Sequence, residues 1–161
     1  MSDTYDIWMK KIEQCHIPRW AELPDIDLYM DQVISQLDKY LDAVNSDEHI
    51  LTASMVNNYV KQQLLPAPVK KRYSRVHMAY LIAICLLKQS LSMPEIKALL
   101  DAHIKPETLE AEYNSLCAMQ EDALAQAVRG GEDASRLAVK AALLSGANKV
   151  FAQQLINIDK K

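Results

Sequence analysis

Apolar side chains recur at helical spacing along most of the chain. Intervals of three and four residues separate them, and prolines or short polar stretches divide the chain into segments. Only 3 of the 161 residues are glycine, which argues against a turn-rich β fold. The pattern therefore predicts an all-α protein with seven helical segments. They lie at about residues 5–15, 28–44, 54–64, 74–87, 93–100, 106–129 and 132–158.

Polar residues and prolines mark where these segments begin and end. Asp25 or Asp27 is expected to cap the second segment, and Thr52 or Ser54 the third. Ser92, followed three residues later by Glu95, forms a capping box that starts the fifth. Gly130 and Gly131 separate the last two segments.

The fourth segment, residues 74–87, is apolar almost all round, which predicts that it is buried on several sides. Its longest apolar run has ten residues, about half of a bilayer span. The N-terminus lacks the pattern of a secretion signal. Three cysteines without metal-ligand spacing are typical of reduced thiols. We therefore expect a cytoplasmic protein without membrane contact, metal or cofactor.

The last two segments each carry a seam of residues spaced alternately by three and four. Such seams fit either an antiparallel helical hairpin or a short coiled coil between two copies of the chain. We therefore divide the chain into residues 1–104 and a C-terminal hairpin, residues 105–161, that is a candidate dimerisation segment. The seam residues are Leu109, Tyr113, Leu116, Gln120, Ala123 and Ala127, and then Leu137, Ala141, Leu144, Asn148, Phe151, Leu155 and Ile158.

The net charge of −3 is unevenly distributed. Residues 49–94 contain no Asp or Glu and carry a charge of +6, whereas residues 1–48 carry −7 and residues 95–161 carry −2. A positive surface on an acidic protein attracts polyanions at that one place. The cations of the acid-free region are Lys61, Lys70, Lys71, Arg72, Arg75 and Lys88.

The order of motifs in this region resembles the DNA-binding domain of the MerR-type transcription regulators. The quoted segments are SMVNNY (residues 54–59), at the family's recognition helix, LLP (64–66), at its exit, and KRY (71–73), at its wing. Residues 81–87 and LSMPEI (91–96) stand where the family has its buried helix and the segment before its linker helix. Gln63 occupies the position where the family usually has a left-handed glycine.

The resemblance implies a winged helix-turn-helix core preceded by an N-terminal helical brace. A closer resemblance covers most of residues 8–100. RWAELPDIDLYMDQVI and LTASMVNNYVK are similar to a bacterial family known only as a domain of unknown function. That second resemblance implies no activity.

The residues at the implied recognition helix, 54–63, suit contact with a duplex. Ser54, Asn57, Asn58 and Lys61 share one helical face without a carboxylate that would repel phosphate. Asparagine can form two hydrogen bonds with adenine in the major groove. Thr52 lies at the helix start, where free amides hold a phosphate. The alternative is that the asparagine pair is an ordinary exposed pair or a helix cap.

The implied wing, residues 69–73, supplies the remaining candidate contacts. Lys70, Lys71 and Arg72 are expected to bind the DNA backbone or the minor groove. Tyr73 is expected to bond a phosphate, and Arg75 to add another contact. The alternatives are that the three cations form a solvated loop and that Tyr73 is a packing residue.

Enzymatic motifs are missing from the sequence, and His16, His49, His77 and His103 have no patterned partners. We therefore predict no enzyme, but a bacterial transcription regulator that binds double-stranded DNA sequence-specifically as a homodimer. Its effector is not identified by the sequence. The alternative is a helical protein–protein interaction module that retains the fold without binding DNA.

Overall fold

A computed structural model describes residues 3–45, 49–129 and 134–159 of the chain. The prediction of an all-α protein is confirmed for these residues, which form seven α-helices, two short 3₁₀ turns and two isolated β-bridges. The predicted break at Gly130 and Gly131 lies outside them. The helices are α1 (Asp3–Glu13), α2 (Met30–Tyr40), α3 (Ala53–Lys61), α4 (Arg75–Leu87), α5 (Met93–His103), α6 (Leu109–Ala127) and α7 (Ala134–Ile158).

Side-chain caps begin two of the helices at the predicted residues. The Thr52 hydroxyl accepts a hydrogen bond from the Met55 amide at 3.3 Å, which makes Thr52 the N-cap of α3. At α5, Ser92 Oγ accepts from the Glu95 amide while Glu95 Oε2 accepts from the Ser92 amide, at 3.4 and 2.8 Å. The capping box is therefore confirmed.

The predicted cap of α2 by Asp25 or Asp27 is wrong. The N-cap is Tyr29, whose amide donates to Gln32 Oε1 at 2.9 Å. The reason is that Leu28 forms an antiparallel bridge with Tyr73, so the chain stays extended past both aspartates before the helix begins.

Helix α4 lies at the centre of the core, as its all-round apolar pattern predicts. Nine of its thirteen residues are buried, and the eight apolar ones among them lie in one cluster with side chains from α2, α3, α5 and α6. Burial of each large aliphatic side chain contributes roughly 1.5–3 kcal/mol to folding. Burial also raises the pKa of the Cys85 thiol to about 12, so Cys85 is protonated and serves as a packing residue.

The segment between α1 and α2, which contains the 3₁₀ turn Trp20–Glu22, is held by polar side chains of α6. Tyr113 Oη donates to the Pro18 carbonyl at 2.6 Å, and Asn114 Oδ1 accepts from the Trp20 amide at 2.8 Å. Glu121 receives both terminal nitrogens of Arg19, at 2.8 and 2.7 Å, and also the Ile17 amide. Helix α6 is therefore attached, from Tyr113 to Glu121, to the N-terminal part of the chain.

Helix α7 is only partly packed. Ile156 is buried in the common core, and Gln153 Nε2 donates to Glu95 of α5 at 2.9 Å. The seam residues from Leu144 onward are exposed, with Leu144 at 52% and Phe151 at 64%. The α7 seam is therefore not covered within one copy of the chain. The division at residues 104/105 stays a prediction.

The Arg19–Glu121 pair predicts a pH-dependent contribution to stability. The hydrogen bond from Arg19 lowers the pKa of Glu121, so the stabilisation is present above the unfolded-state pKa and is lost as the pH falls through the folded-state pKa. We expect Glu121→Gln to lower the free energy of unfolding by about 2 kcal/mol at pH 7. Urea denaturation should show this difference shrinking toward pH 3.5.

The matched control is Glu110→Gln, at an exposed carboxylate on the same helix. This substitution should change stability by less than about 0.5 kcal/mol. A Glu121→Gln protein as stable as the parent at pH 7 would contradict the role given to the pair.

Candidate nucleic-acid interface

The polar and apolar residues of α3 lie on opposite sides of the helix, as their spacing predicts. Val56 and Tyr59 are buried against the core. The exposed polar positions, called here the outer face of α3, are Ser54, Asn57, Asn58 and Lys61. Ala53 and Met55 are exposed beside them. The outer face therefore presents hydroxyl, amide and ammonium groups to solvent and carries no carboxylate.

The amide groups of the outer face are largely free to bind. Asn58 Oδ1 has a single long contact with Gln62 Nε2, at 3.5 Å. Within the residues the structure describes, the Asn57 side chain forms no hydrogen bond. The alternative that the asparagine pair caps a helix is not supported, because Thr52 caps the start of α3 and Gln62 terminates it.

Helix α3 ends in a left-handed turn at Gln63, with φ of 59°. The Leu64 amide bonds the Tyr59 carbonyl at 2.9 Å and the Gln63 amide bonds the Val60 carbonyl at 3.1 Å, which is the Schellman arrangement. A residue with a side chain adopts this conformation at a cost of roughly 1 kcal/mol relative to glycine. Helix α3 therefore ends in a left-handed turn formed without a glycine.

Residues 69–72 form a two-residue hairpin turn, called here the basic hairpin. Val69 and Arg72 exchange backbone hydrogen bonds of 3.1 and 3.0 Å. Lys70 and Lys71 between them have φ of 51° and 61°. Two positive φ values define a type I′ turn, which ordinarily contains Asn and Gly. Two lysines are thus held, with strain, at the tip of an exposed hairpin.

The basic hairpin is anchored through Tyr73. The Tyr73 amide and carbonyl pair with Leu28 through hydrogen bonds of 2.8 and 2.9 Å, and the Tyr73 side chain is only 4% exposed. The expected phosphate contact by Tyr73 is therefore not supported, because the ring is packed in the core. Tyr73 is a packing residue, which was the alternative.

Arg72 is held by a residue that the sequence analysis missed. Its Nη2 donates to Tyr29 Oη at 2.9 Å, and its guanidinium carbon lies 5.0 Å from the centre of the Tyr29 ring. Tyr29 is 49% exposed, so the stacked guanidinium remains accessible. No sequence signal pointed to Tyr29, because the single Leu28–Tyr73 bridge that brings it beside the hairpin creates no periodic pattern.

Arg75 does not join this surface. Its Nη2 donates to the Leu23 carbonyl at 3.1 Å and its guanidinium lies 5.9 Å from the centre of the Trp20 ring. The predicted DNA contact by Arg75 is not supported, since the half-buried guanidinium is used within the chain. Lys88 similarly donates to the Ile50 carbonyl at 2.6 Å. The acid-free region therefore leaves four exposed cations, at Lys61 and residues 70–72.

The described ranges 3–45, 49–129 and 134–159 contain no candidate metal site and no candidate membrane-spanning helix. No group of three or more His, Cys, Asp or Glu side chains there is arranged to hold a metal ion. Likewise, none of the helices in this part of the chain has the length and apolar character needed to cross a bilayer.

Comparison with known proteins gives one match. A family described as a domain of unknown function (DUF1836) matches residues 18–117. The chain belongs to this family. The DUF1836 match begins in the segment held by α6 and ends within α6, so it includes α3, the basic hairpin and their supports. No curated protein and no solved structure is significantly similar to the chain.

The strain in the basic hairpin predicts a stabilising double substitution. Lys70→Asn with Lys71→Gly places the preferred residues of a type I′ turn at the two positive φ positions. We expect the free energy of unfolding to rise by about 1 kcal/mol, measured by urea denaturation.

The control is Lys70→Gln with Lys71→Gln, which removes both charges and keeps side chains at the strained positions. This variant should show no comparable gain in stability. Equal stabilities for the two variants would contradict the type I′ assignment.

Proposed function

We propose that this protein binds double-stranded DNA sequence-specifically, as a bacterial transcription regulator with a winged helix-turn-helix core. In this proposal α3 is the recognition helix and the basic hairpin is the wing. The observation that carries the proposal is the exposure of the carboxylate-free outer face of α3 together with the lysines at the hairpin tip.

The outer face of α3 fits the chemistry of the major groove. An α-helix such as α3 is about 10–12 Å across with its side chains and fits the major groove, which is about 12 Å wide. Asn57 and Asn58 carry both a donor and an acceptor, so each can bond the N6 and N7 atoms of adenine. Lys61 supplies a phosphate contact at the end of the helix. Thr52 lies at its start, where free backbone amides can bind a phosphate.

The basic hairpin fits the DNA backbone beside that groove. Lys70 and Lys71 provide two cations on a rigid two-residue turn, and Arg72 is pre-oriented by Tyr29. Pre-orientation lowers the entropy lost when a side chain is fixed in a complex. A strained turn is retained in proteins mostly where it contributes to function, and two lysines at its tip suit a phosphate contact.

We include in the same proposal that the protein binds DNA as a homodimer. Palindromic DNA sites are bound by two-fold dimers whose recognition helices lie one helical turn of DNA apart. The exposed seam of α7 supports pairing, because a helix that is apolar on several sides is stable when it is covered. Leu144, Phe151, Leu155 and Ile158 provide that uncovered stripe.

A protein-binding module is the second candidate, and one observation favours it. Asp25 and Asp27 are exposed in the segment that leads to the Leu28–Tyr73 bridge, and their carboxylates would repel phosphate. Ile26 and Val69 are exposed there as well, each 67% accessible. Apolar side chains with mixed charges are typical of protein interfaces. The experiment that follows separates the two candidates.

Removing the hairpin charges should weaken DNA binding and its dependence on salt. For Lys70→Gln with Lys71→Gln, we expect affinity for mixed genomic duplexes to fall at least about tenfold at 0.1 M salt. The slope of log K against log salt should decrease by about 2 per bound protomer. Fluorescence anisotropy at several salt concentrations measures both quantities.

The matched control is Lys10→Gln with Lys39→Gln, two exposed lysines outside the acid-free region. This variant should bind like the parent. Binding that is equally weak for the parent and both variants would reject the DNA proposal and leave the protein-binding module.

The seam of α7 predicts the state of assembly. Light scattering after gel filtration should give about 36 kDa, twice the chain mass of 18.2 kDa. Leu144→Glu with Phe151→Glu should give a monomer, because it places four carboxylates in the paired seam of the dimer. Both residues are exposed in one copy, so the fold should be unaffected.

Met119→Glu is the control for this experiment, since Met119 is equally exposed and lies outside both seams. It should remain a dimer. A monomeric parent protein at micromolar concentration would contradict pairing through α7.

A further inference from the structure

His77 is the one buried residue of polar or charged type in the described part of the chain, with a side chain 6% exposed. It lies in the first turn of α4, directly beneath the basic hairpin. Buried polar groups are normally fully hydrogen-bonded, so its contacts indicate what it does.

Three segments of the chain meet at the His77 ring. The Ser74 amide donates to Nδ1 at 2.9 Å, and Ser74 Oγ lies at the same distance. Nε2 lies 3.3 Å from the Ala67 carbonyl, in the segment after α3. The ring also packs edge-on against Tyr73, with centres 5.4 Å apart. His77 therefore connects the exit of α3, the base of the hairpin and the start of α4.

These contacts select one protonation state of the ring. An amide N–H can only donate, so Nδ1 must carry a lone pair toward Ser74. Nε2 must then carry the hydrogen, since the Ala67 carbonyl can only accept. The bonding pattern is therefore that of a neutral imidazole protonated at Nε2.

We propose that His77 is the positioning residue of the basic hairpin and that its neutral form is required for the hairpin to hold its DNA-binding geometry. Protonation places a second hydrogen at Nδ1, directly against the Ser74 amide, and removes that hydrogen bond. It also places a positive charge at the N-terminus of α4, where the helix dipole opposes it. The part of the proposal that concerns DNA rests on the proposed function.

No group around the ring offers a negative charge to an added proton. Tyr73 from the hairpin is neutral, since burial raises its pKa above the usual value. Ser74 Oγ can accept a hydrogen bond from a protonated Nδ1, but the Ser74 amide then loses its acceptor. The Ala67 carbonyl is neutral, and the guanidinium of Arg75 contacts Leu23 and Trp20. The cations at residues 70–72 add repulsion. In the described residues no carboxylate pairs with His77, so a protonated ring supports the hairpin less well than a neutral ring.

His77→Gln provides the test variant. A glutamine at this position can accept from the Ser74 amide, as in an ordinary capping box, so α4 keeps its cap. Glutamine does not titrate, whereas histidine ordinarily changes charge between about pH 5 and pH 8. The control is His103→Gln, which removes an exposed histidine in α5.

The first readout does not involve DNA. Hydrogen exchange of the Tyr73 amide, which bonds the Leu28 carbonyl, is followed from pH 8 to pH 5.5 and corrected for intrinsic exchange. Protection should fall about threefold to tenfold in the parent and in His103→Gln, the effect of one hydrogen bond. It should stay constant in His77→Gln. The same profile for parent and His77→Gln would overturn the proposal.

The second readout is affinity for mixed genomic duplexes over the same pH range. The ratio of parent to His77→Gln affinity should fall about threefold to tenfold on acidification, and an unchanged ratio would overturn the proposal. If the parent does not bind DNA at pH 8, the proposed function fails by itself. The exchange of the Tyr73 amide then still decides whether His77 positions the hairpin.

Discussion

Burial of α4 in the core fixes the arrangement of the helices around it. A thirteen-residue helix with nine buried residues is stable only when other elements cover it on several sides. Helices α2, α3, α5 and α6 supply that cover. Because α3 gives its apolar side to the core, its polar side must face solvent. The basic hairpin is joined directly to the start of α4, so the packing of α4 also fixes its base.

Much of the fold follows from local patterns. Seven helices, the Thr52 cap, the Ser92–Glu95 capping box and the two faces of α3 were all predicted, because helical periodicity and caps depend on residues within about four positions of one another. The same locality explains the errors at Asp25 and Asp27. Both are good caps in isolation, but a distant pairing of Leu28 with Tyr73 keeps the chain extended beyond them.

The sequence predicts the positive charge of the candidate site, but it does not predict the side-chain contacts of the arginines there. The absence of carboxylates from residues 49–94 is visible in the sequence. The contacts of Arg75 with Leu23 and Trp20 are not visible in the sequence, because more than fifty positions separate Arg75 from these partners. The stacking of Arg72 on Tyr29 joins residues 43 positions apart. The left-handed lysines at 70 and 71 contradict local preference, as strained positions at functional sites often do.

The central claim is that the outer face of α3 and the basic hairpin contact one duplex together. Backbone chemical shifts, recorded with and without a short duplex enriched by the protein from genomic fragments, test this most directly. We expect simultaneous changes at residues 54–61 and 69–72, with α1 unaffected. Changes confined to other helices, or none at a duplex concentration that saturates binding, would contradict it.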